Sequence, residues 1–437
     1  METPSPRSST ARSDFLPRLF AGTVFAALLM SPRLEAVDFG SIAVLQGVLP
    51  QKTDHYEILK EVKVAPPYLV FQVNTDHGTY DVQSVRNLLK TCHEIRVMEE
   101  YRKTEEGNQT WQGAKDSFKD IGSGAKMLVK DPNAARKAIG RSLSKTARSI
   151  GRFFRKQTQE TPERKSSEGR DRDLGAGGKT YAKTARQFAH RMQLDVYTDN
   201  PYAKALIGSV AEQQGVGKAA VGVATFLLAP VPGLRTVTRG SLTSDAINAE
   251  TEILIADNSP AELRYQMRRK FMASNGLVEG RDNEVIAAFD AFLASGNFNP
   301  RQEAYLGLHL ELLGNLPGRA EAIQALGEIK TETDADLIAS QYEILTAIHR
   351  KKAKLSRLVP FGANIAGLAE GGELFFGCPF DKLADTEFLT GLAEDLKRAA
   401  RSAGAKSTRW MILGPASGEF HGVPVSGDLL SDPDLTK

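Results

Sequence analysis

Apolar side chains recur every three or four residues over much of the chain, a spacing that predicts amphipathic helices. One such helix is predicted from about Ser84, with apolar positions at Val85, Leu88, Leu89, Cys92, Ile95 and Met98. Six more are predicted at 245–256, 260–274, 282–295, 300–314, 318–329 and 334–354. Ser259 and Asn299 each precede a proline and stand three residues before Glu262 or Gln302, which is the pattern of a capping box. Without a fixed repeat period, these helices favour a bundle over a solenoid.

Strand-like patterns lie on both sides of this helical region. Residues 66–75 and 79–85 flank an Asp-His-Gly turn and predict a β-hairpin. Near the C-terminus, 363–371 and 372–380 predict two strands around a Glu-Gly-Gly turn, and 408–415 predicts a third after an amphipathic helix. The fold class is therefore predicted as α+β and predominantly α-helical.

The N-terminus has the pattern of a secretory signal. Arg7, Arg12 and Arg18 precede a short apolar run at 20–30, and a small residue, Ala36, stands at the expected cleavage position. The run is shorter than the ~20 apolar residues that a transmembrane helix needs. A buried N-terminal helix and an uncleaved signal anchor are the alternatives to an exported protein.

A basic segment, 113–156, stands out in a chain whose net charge is only +3. It contains twelve Lys and Arg residues but only three Asp, and its apolar residues recur at helical spacing. The segment is therefore predicted to be a basic amphipathic helix. Such a helix suits an anionic membrane surface or a protein partner. A solvated basic face over an ordinary core is the alternative. The predicted contact residues are Lys126, Lys130, Arg136, Lys137, Arg141, Lys145, Arg148, Arg152, Phe153, Phe154, Arg155 and Lys156.

Two further segments bear on organisation. Residues 157–179 are polar and end in glycines, which is typical of a linker. Residues 215–234 are nearly all small or apolar apart from Lys218, and they predict either a buried helix or a membrane-inserting segment. Lys218 and two prolines shorten the apolar span below the length that a transmembrane helix requires.

Searches for catalytic or metal-binding patterns find weak candidates only. The stretch DLGAGGKT at 173–180 lacks the first glycine and the preceding strand of a phosphate-binding loop. Ser417 and His421 follow a predicted strand, but the sequence around them does not form a nucleophile elbow. The histidines lack zinc spacing, and Asp195, Asp199 and Asn200 lack the spacing of an EF-hand. We therefore predict no catalytic residue, no cofactor and no metal, and leave open whether Cys92 and Cys378 pair.

Four stretches resemble a family of exported bacterial proteins that has no assigned function. They are 76–95, the end of the basic segment at 151–156, 194–202 and 259–273. The resemblance implies a bacterial exported protein with a helical middle and a lone β-hairpin element before it. It implies no activity and supplies no site residues.

These observations predict six segments. They are a signal peptide at 1–36, an N-terminal β-hairpin and helix unit at 37–112, the basic helix at 113–156, the linker at 157–179, a helical bundle at 180–354 and a C-terminal α+β unit at 355–437. The leading hypothesis is a non-enzymatic protein of the periplasm or cell envelope that contacts an anionic membrane or an envelope protein, with no role in nucleic-acid binding. A pore-forming protein using 215–234 and an exported hydrolase are the alternatives.

Overall fold

The computed structural model describes residues 36–104, 179–215, 245–427 and 429, apart from 43–44, 47–48, 77, 199, 278–282 and 330–331. All of these residues belong to one compact unit. Most of the predicted signal, the whole basic segment with its twelve contact residues, and residues 216–234 lie outside the described ranges. The fold is a mixture of helices and two β-sheets, so the α+β class is confirmed.

The first sheet is antiparallel and has five strands. They are β1 (Ala36–Asp38), β2 (Glu57–Ile58), β3 (Glu61–Ala65), β4 (Tyr68–Thr75) and β5 (Gly78–Gln83). The predicted hairpin is confirmed as β4 and β5, which pair from Val70–Gln83 to Thr75–Gly78. The expectation of a lone hairpin is wrong, because β3 and β2 also pair with β4. Those strands are short and carry charged residues at exposed positions such as Glu57 and Glu61, which hides their alternating pattern.

Helices follow in the middle of the chain and mostly begin where the sequence predicts. They are α1 (Val85–Arg102), α2 (Lys179–Arg191), α3 (Pro201–Gly215), α4 (Asp245–Asp257), α5 (Pro260–Ser274), α6 (Glu284–Ala294), α7 (Pro300–Leu312), α8 (Arg319–Leu326) and α9 (Glu332–Ala347). Both predicted capping boxes are confirmed, at Ser259 with Glu262 and at Asn299 with Gln302. Helix α7 packs against α5 and α9, and α2 packs against α3 and α4. Within the described part of the chain, no helix combines the length and apolarity needed to cross a membrane.

The second sheet has six strands in the order β10-β11-β9-β8-β7-β6. They are β6 (Leu355–Phe361), β7 (Asn364–Ala369), β8 (Glu373–Cys378), β9 (Ser407–Ile412), β10 (Ser417–Phe420) and β11 (Val423–Ser426). Helix α10 (Glu387–Ala403) connects the parallel strands β8 and β9. The three predicted strands are confirmed as β7, β8 and β9, and β6, β10 and β11 extend the sheet.

Helices cover both faces of the second sheet. On β8, Leu374 and Phe376 belong to the apolar cluster under α10, whereas Phe375 belongs to the larger core shared with the other helices. Gly377 lies so close to α9 that a Cβ atom there would be 2.4 Å from Cγ2 of Ile344. Because both faces are buried, β8 reads as a continuous apolar run.

A buried carboxylate joins the two sheets. Asp381, just after β8, accepts hydrogen bonds from the backbone N–H of Leu69 at 3.0 Å and of Val85 at 3.1 Å. Its own N–H donates to the carbonyl oxygen of Pro67 at 2.9 Å. The start of α1 is thereby fixed against the end of β8, and this contact positions one wall of the cavity described next.

Candidate functional site

A cavity of about 290 Å³ lies where α1, α4, α7, α9 and the loop after α2 meet. Its lining is rich in charged and amide side chains, whereas the lining of a typical ligand pocket is predominantly apolar. The ionisable lining residues are Arg86, Lys90, His93, Glu94, His190, Asp195, Glu252, Arg301, His309, Asp336 and Glu343, together with Tyr68, Tyr197 and Tyr305.

The lining arises because these helices turn a polar stripe towards the interior. Helix α1 contributes Arg86, Lys90, His93 and Glu94, helix α7 contributes Arg301, Tyr305 and His309, and helix α9 contributes Asp336, Ser340 and Glu343. Within each helix most of these positions are three or four residues apart, or seven or eight, and so lie on one side of the helix; His93 and Glu94 are adjacent in sequence. The opposite face of α1, which includes Val85, Leu88 and Leu89, packs in the main apolar core.

Asp195 is the centre of a charged network on one side of the cavity. Its carboxylate lies 2.7 Å from Nζ of Lys90 and 3.7 Å from Nε of Arg301, and it accepts the backbone N–H of Tyr197 at 2.9 Å. Arg301 also pairs with Glu252 at 2.6 Å. Burial opposes ionisation of Asp195, but Lys90 and Arg301 outweigh it and hold the pKa of this carboxyl below its usual range. Asp195 is therefore ionised at neutral pH.

A second set of contacts lies on the α9 side. Arg86 donates to Oγ of Ser340 at 2.9 Å and forms an ion pair with Glu343. Gln302 donates from its amide to Asp336 at 2.6 Å. Each of the three permanently cationic side chains of the lining is thus paired with a carboxylate of the same lining.

Glu94 and His309 belong to the lining but are almost completely buried. Glu94 is 1% exposed and His309 is 2% exposed, and the carboxylate oxygens of Glu94 and Nδ1 of His309 have almost no accessible surface. Burial raises the pKa of Glu94 to about 7, although the charge of Lys90 and side-chain hydrogen bonds with Thr198 and Asn200 lower it. Burial lowers the pKa of His309 to about 4, so this imidazole is neutral at pH 7.

The weak sequence candidates have structural roles in the described residues. Asp195, considered for calcium, is held by cations, and Asn200 accepts the N–H of Tyr202 at 3.1 Å as a helix cap. No group of three metal-ligating side chains occurs among the residues that the structure describes. Cys92 and Cys378 are both buried and free.

Ser417 and His421 lie at opposite ends of strand β10. Ser417 pairs with Ser426 across the β10–β11 hairpin, whereas His421 lies in the connecting turn. Nε2 of His421 lies 2.9 Å from the carboxylate of Asp385 and 3.1 Å from Oγ1 of Thr390. The hydrogen bonds of this histidine therefore connect the turn to α10 and to the residues just before it.

The sequence reasoning missed the cavity, although its signal is present. In α1 the residues Arg86, Lys90, His93 and Glu94 form a polar stripe, which is ordinarily interpreted as the solvent-exposed face of a helix. Three of the chain's seven histidines, His93, His190 and His309, line this one cavity. Comparisons with known protein families, with curated proteins and with solved structures find no match.

Proposed function

We propose that the protein is a non-enzymatic binding protein and that its cavity holds a small polar molecule. The observation that carries the proposal is a cavity of about 290 Å³ whose wall combines ion pairs, such as Lys90 with Asp195, with amide and hydroxyl side chains. Polar side chains placed around a cavity can hydrogen-bond a ligand and fix its orientation.

The test is a thermal-unfolding screen of the purified protein against a panel of small polar metabolites. A ligand that binds only the folded state raises the unfolding temperature in a concentration-dependent way. Ala339→Met would place a longer side chain in the cavity wall and should abolish the shift. Ala273→Met, on the exposed face of α5 and outside the lining, is the matched control and should retain it.

A shift that survives Ala339→Met would place the ligand elsewhere, and the absence of any shift across the panel would refute the proposal. Both variants need a cooperative unfolding transition, since the comparison depends on an intact fold.

For location we propose an exported protein of the bacterial periplasm or cell envelope. Its finer organisation is proposed to be the six segments predicted from the sequence, with a helical bundle at 180–354 between two α+β units. The basic segment 113–156 would contact an anionic membrane surface or an envelope protein. The support is the local excess of nine positive charges, twelve minus three, in a nearly neutral chain. Each basic residue near anionic headgroups contributes ~1 kcal/mol.

Vesicle flotation tests the membrane version of this proposal. The full chain should bind vesicles that contain anionic lipid at low salt and should be released as salt rises. Replacement of Arg148, Arg152, Arg155 and Lys156 with Gln should weaken binding. Replacement of four exposed basic residues outside the segment, Lys52, Lys60, Lys103 and Arg398, is the matched control. No binding at low salt would refute the membrane version and leave a protein partner to be sought.

A further inference from the structure

The geometry points to an uncharged polyhydroxylated molecule, of the size of a monosaccharide, as the ligand of the cavity, with Gln193 as one of the side chains that hold it. This inference rests on the proposed binding function and specifies its chemistry.

Several polar side chains of the lining have no partner in the part of the chain that the structure describes. The side chains of Tyr68, Gln83, Asn87 and Gln193 form no hydrogen bond there, and neither does the imidazole of His190. Asn87 and Gln193 are exposed, and the other three are partly exposed, with polar atoms that keep accessible surface. These groups are therefore within reach of a molecule in the cavity.

The charged side chains of the lining are already committed to one another. Each permanent cation has a carboxylate partner, as in the pair of Lys90 with Asp195 at 2.7 Å and that of Arg301 with Glu252 at 2.6 Å. A ligand anion would compete with those carboxylates, and a ligand cation would compete with the ammonium and guanidinium groups. Separating the partners of a buried ion pair is costly. An uncharged ligand leaves every pair intact.

The chemistry of the unpartnered groups matches that of a sugar. A side-chain amide and a phenolic hydroxyl can each donate and accept a hydrogen bond, and so can every hydroxyl group of a sugar. The partly exposed rings of Tyr68, Tyr197 and Tyr305 add apolar surface that can contact the C–H groups of a sugar ring. The volume of about 290 Å³ is near the lower end for ligand pockets, which suits a molecule of about a dozen heavy atoms, the size of a hexose.

The backbone of Gln193 gives an independent reason to assign a role to its side chain. Its φ is +56°, in the left-handed region that favours glycine. The N–H of Gln193 donates to the carbonyl oxygen of His190 at 3.0 Å, and the N–H of Leu194 donates to that of Ala189 at 2.8 Å, so α2 ends in a Schellman motif. Glycine is the usual residue at this place in the motif, and a residue with a side chain is strained there. Strain of this kind is concentrated at functional sites, where the side chain is needed.

Calorimetry of the full chain with three hexoses tests the class of ligand. We expect at least one of glucose, galactose and mannose to bind. The uronate and the amino sugar derived from that hexose keep the ring but carry a negative or a positive charge, and each should bind at least tenfold more weakly. A tenfold difference corresponds to about 1.4 kcal/mol.

Two variants test the amide side chains. Gln193→Gly and Asn87→Ala should each weaken binding of the preferred hexose by roughly three- to tenfold, the effect of losing one uncharged hydrogen bond. Gln193→Gly should unfold at the same temperature as the parent or higher, because glycine relieves the left-handed strain, so weaker binding would not reflect a damaged fold. Gln324→Ala removes an exposed amide outside the lining and is the matched control, which should bind like the parent.

The outcomes separate this inference from the proposal on which it rests. Preference for a uronate, an amino sugar or any compound without several hydroxyl groups, blocked by Ala339→Met, would refute the uncharged polyol and keep the binding function. Hexose binding that Gln193→Gly and Asn87→Ala leave unchanged would refute the role of the amides. No binding by any hexose or panel compound would refute both the inference and the proposed function.

Discussion

The buried carboxylate of Asp381 makes the stability of the protein depend on pH in an unusual direction. Asp381 is 1% exposed, and burial raises its pKa from 3.8 to about 7, although the N–H groups of Leu69 and Val85 oppose the rise. The folded protein thus holds this proton more tightly than the unfolded chain does. Between pH 4 and pH 7 the contribution of this group to the free energy of unfolding must fall as pH rises.

The size of this change in the free energy of unfolding follows from the interval between the unfolded and folded pKa values of Asp381. About three pH units at ~1.4 kcal/mol each give roughly 4 kcal/mol at full ionisation. Asp381→Asn removes the charge but keeps an acceptor. Oδ2 alone receives both N–H groups, at 3.0 Å from Leu69 and 3.1 Å from Val85, so one amide oxygen in that place could serve both. We therefore expect the stability of Asp381→Asn relative to the parent to rise with pH.

Urea unfolding at several pH values from 3 to 8, with the fluorescence of the buried Trp410 as one signal, measures this difference. The gap between Asp381→Asn and the parent should grow by about 4 kcal/mol between pH 4 and pH 7 and be constant outside that window. Asp381→Ala should be less stable than Asp381→Asn by roughly 2–6 kcal/mol at every pH, because it leaves two buried N–H groups without an acceptor. Parallel stability curves for Asp381→Asn and the parent would refute this reasoning.

Three further changes test an ion pair, a glycine and a helix cap elsewhere in the fold. Arg264→Met should lower the free energy of unfolding by about 3–5 kcal/mol, because it leaves the fully buried Glu303 without its ion-pair partner, which lies at 2.8 Å. Adding Glu303→Leu to the same chain should recover much of that loss. Gly318→Ala should lower the free energy of unfolding by more than ~1–2 kcal/mol, because φ of residue 318 is +81° and the new Cβ would lie 2.1 Å from the carbonyl oxygen of Leu358. Equal thermal stability of the variant and the parent would contradict this prediction. Asn299→Ala should cost ~1 kcal/mol through loss of the α7 cap, and Asn299→Ser should restore most of it in the same assay.

The sequence indicates the elements of this protein better than their assembly. Capping boxes such as Ser259 with Glu262 are local, so the residues that form them also reveal them. The β8 strand was recognisable from its continuous apolar run, which reflects burial on both faces. By contrast β2 has two residues and β10 is mostly exposed, and neither carries enough alternation to be distinguished from a turn.

The sequence pattern did not predict the candidate site, and the physical reason is different. A polar stripe such as Arg86, Lys90 and Glu94 has the same spacing whether water or other helices cover it. Its burial depends on α7 and α9, which lie more than 200 positions further along the chain. The pairing of Lys90 with Asp195 spans 105 positions and cannot be deduced from one sequence. Local pattern therefore predicted helix faces, and only tertiary contacts revealed which of them enclose a cavity.

The hydrogen bonds to Asp381 also constrain the order in which the protein can fold. The N–H of Leu69 donates to a carboxylate that lies 312 positions later in the chain, and the N–H of Val85 donates to the same carboxylate, 296 positions later. Contacts of such separation carry the largest loop-closure cost and form late. During synthesis the first sheet and the start of α1 must wait for residue 381 before their last buried donors are satisfied. The early part of the chain thus reaches its final stability only when the segment around Asp381 packs against it.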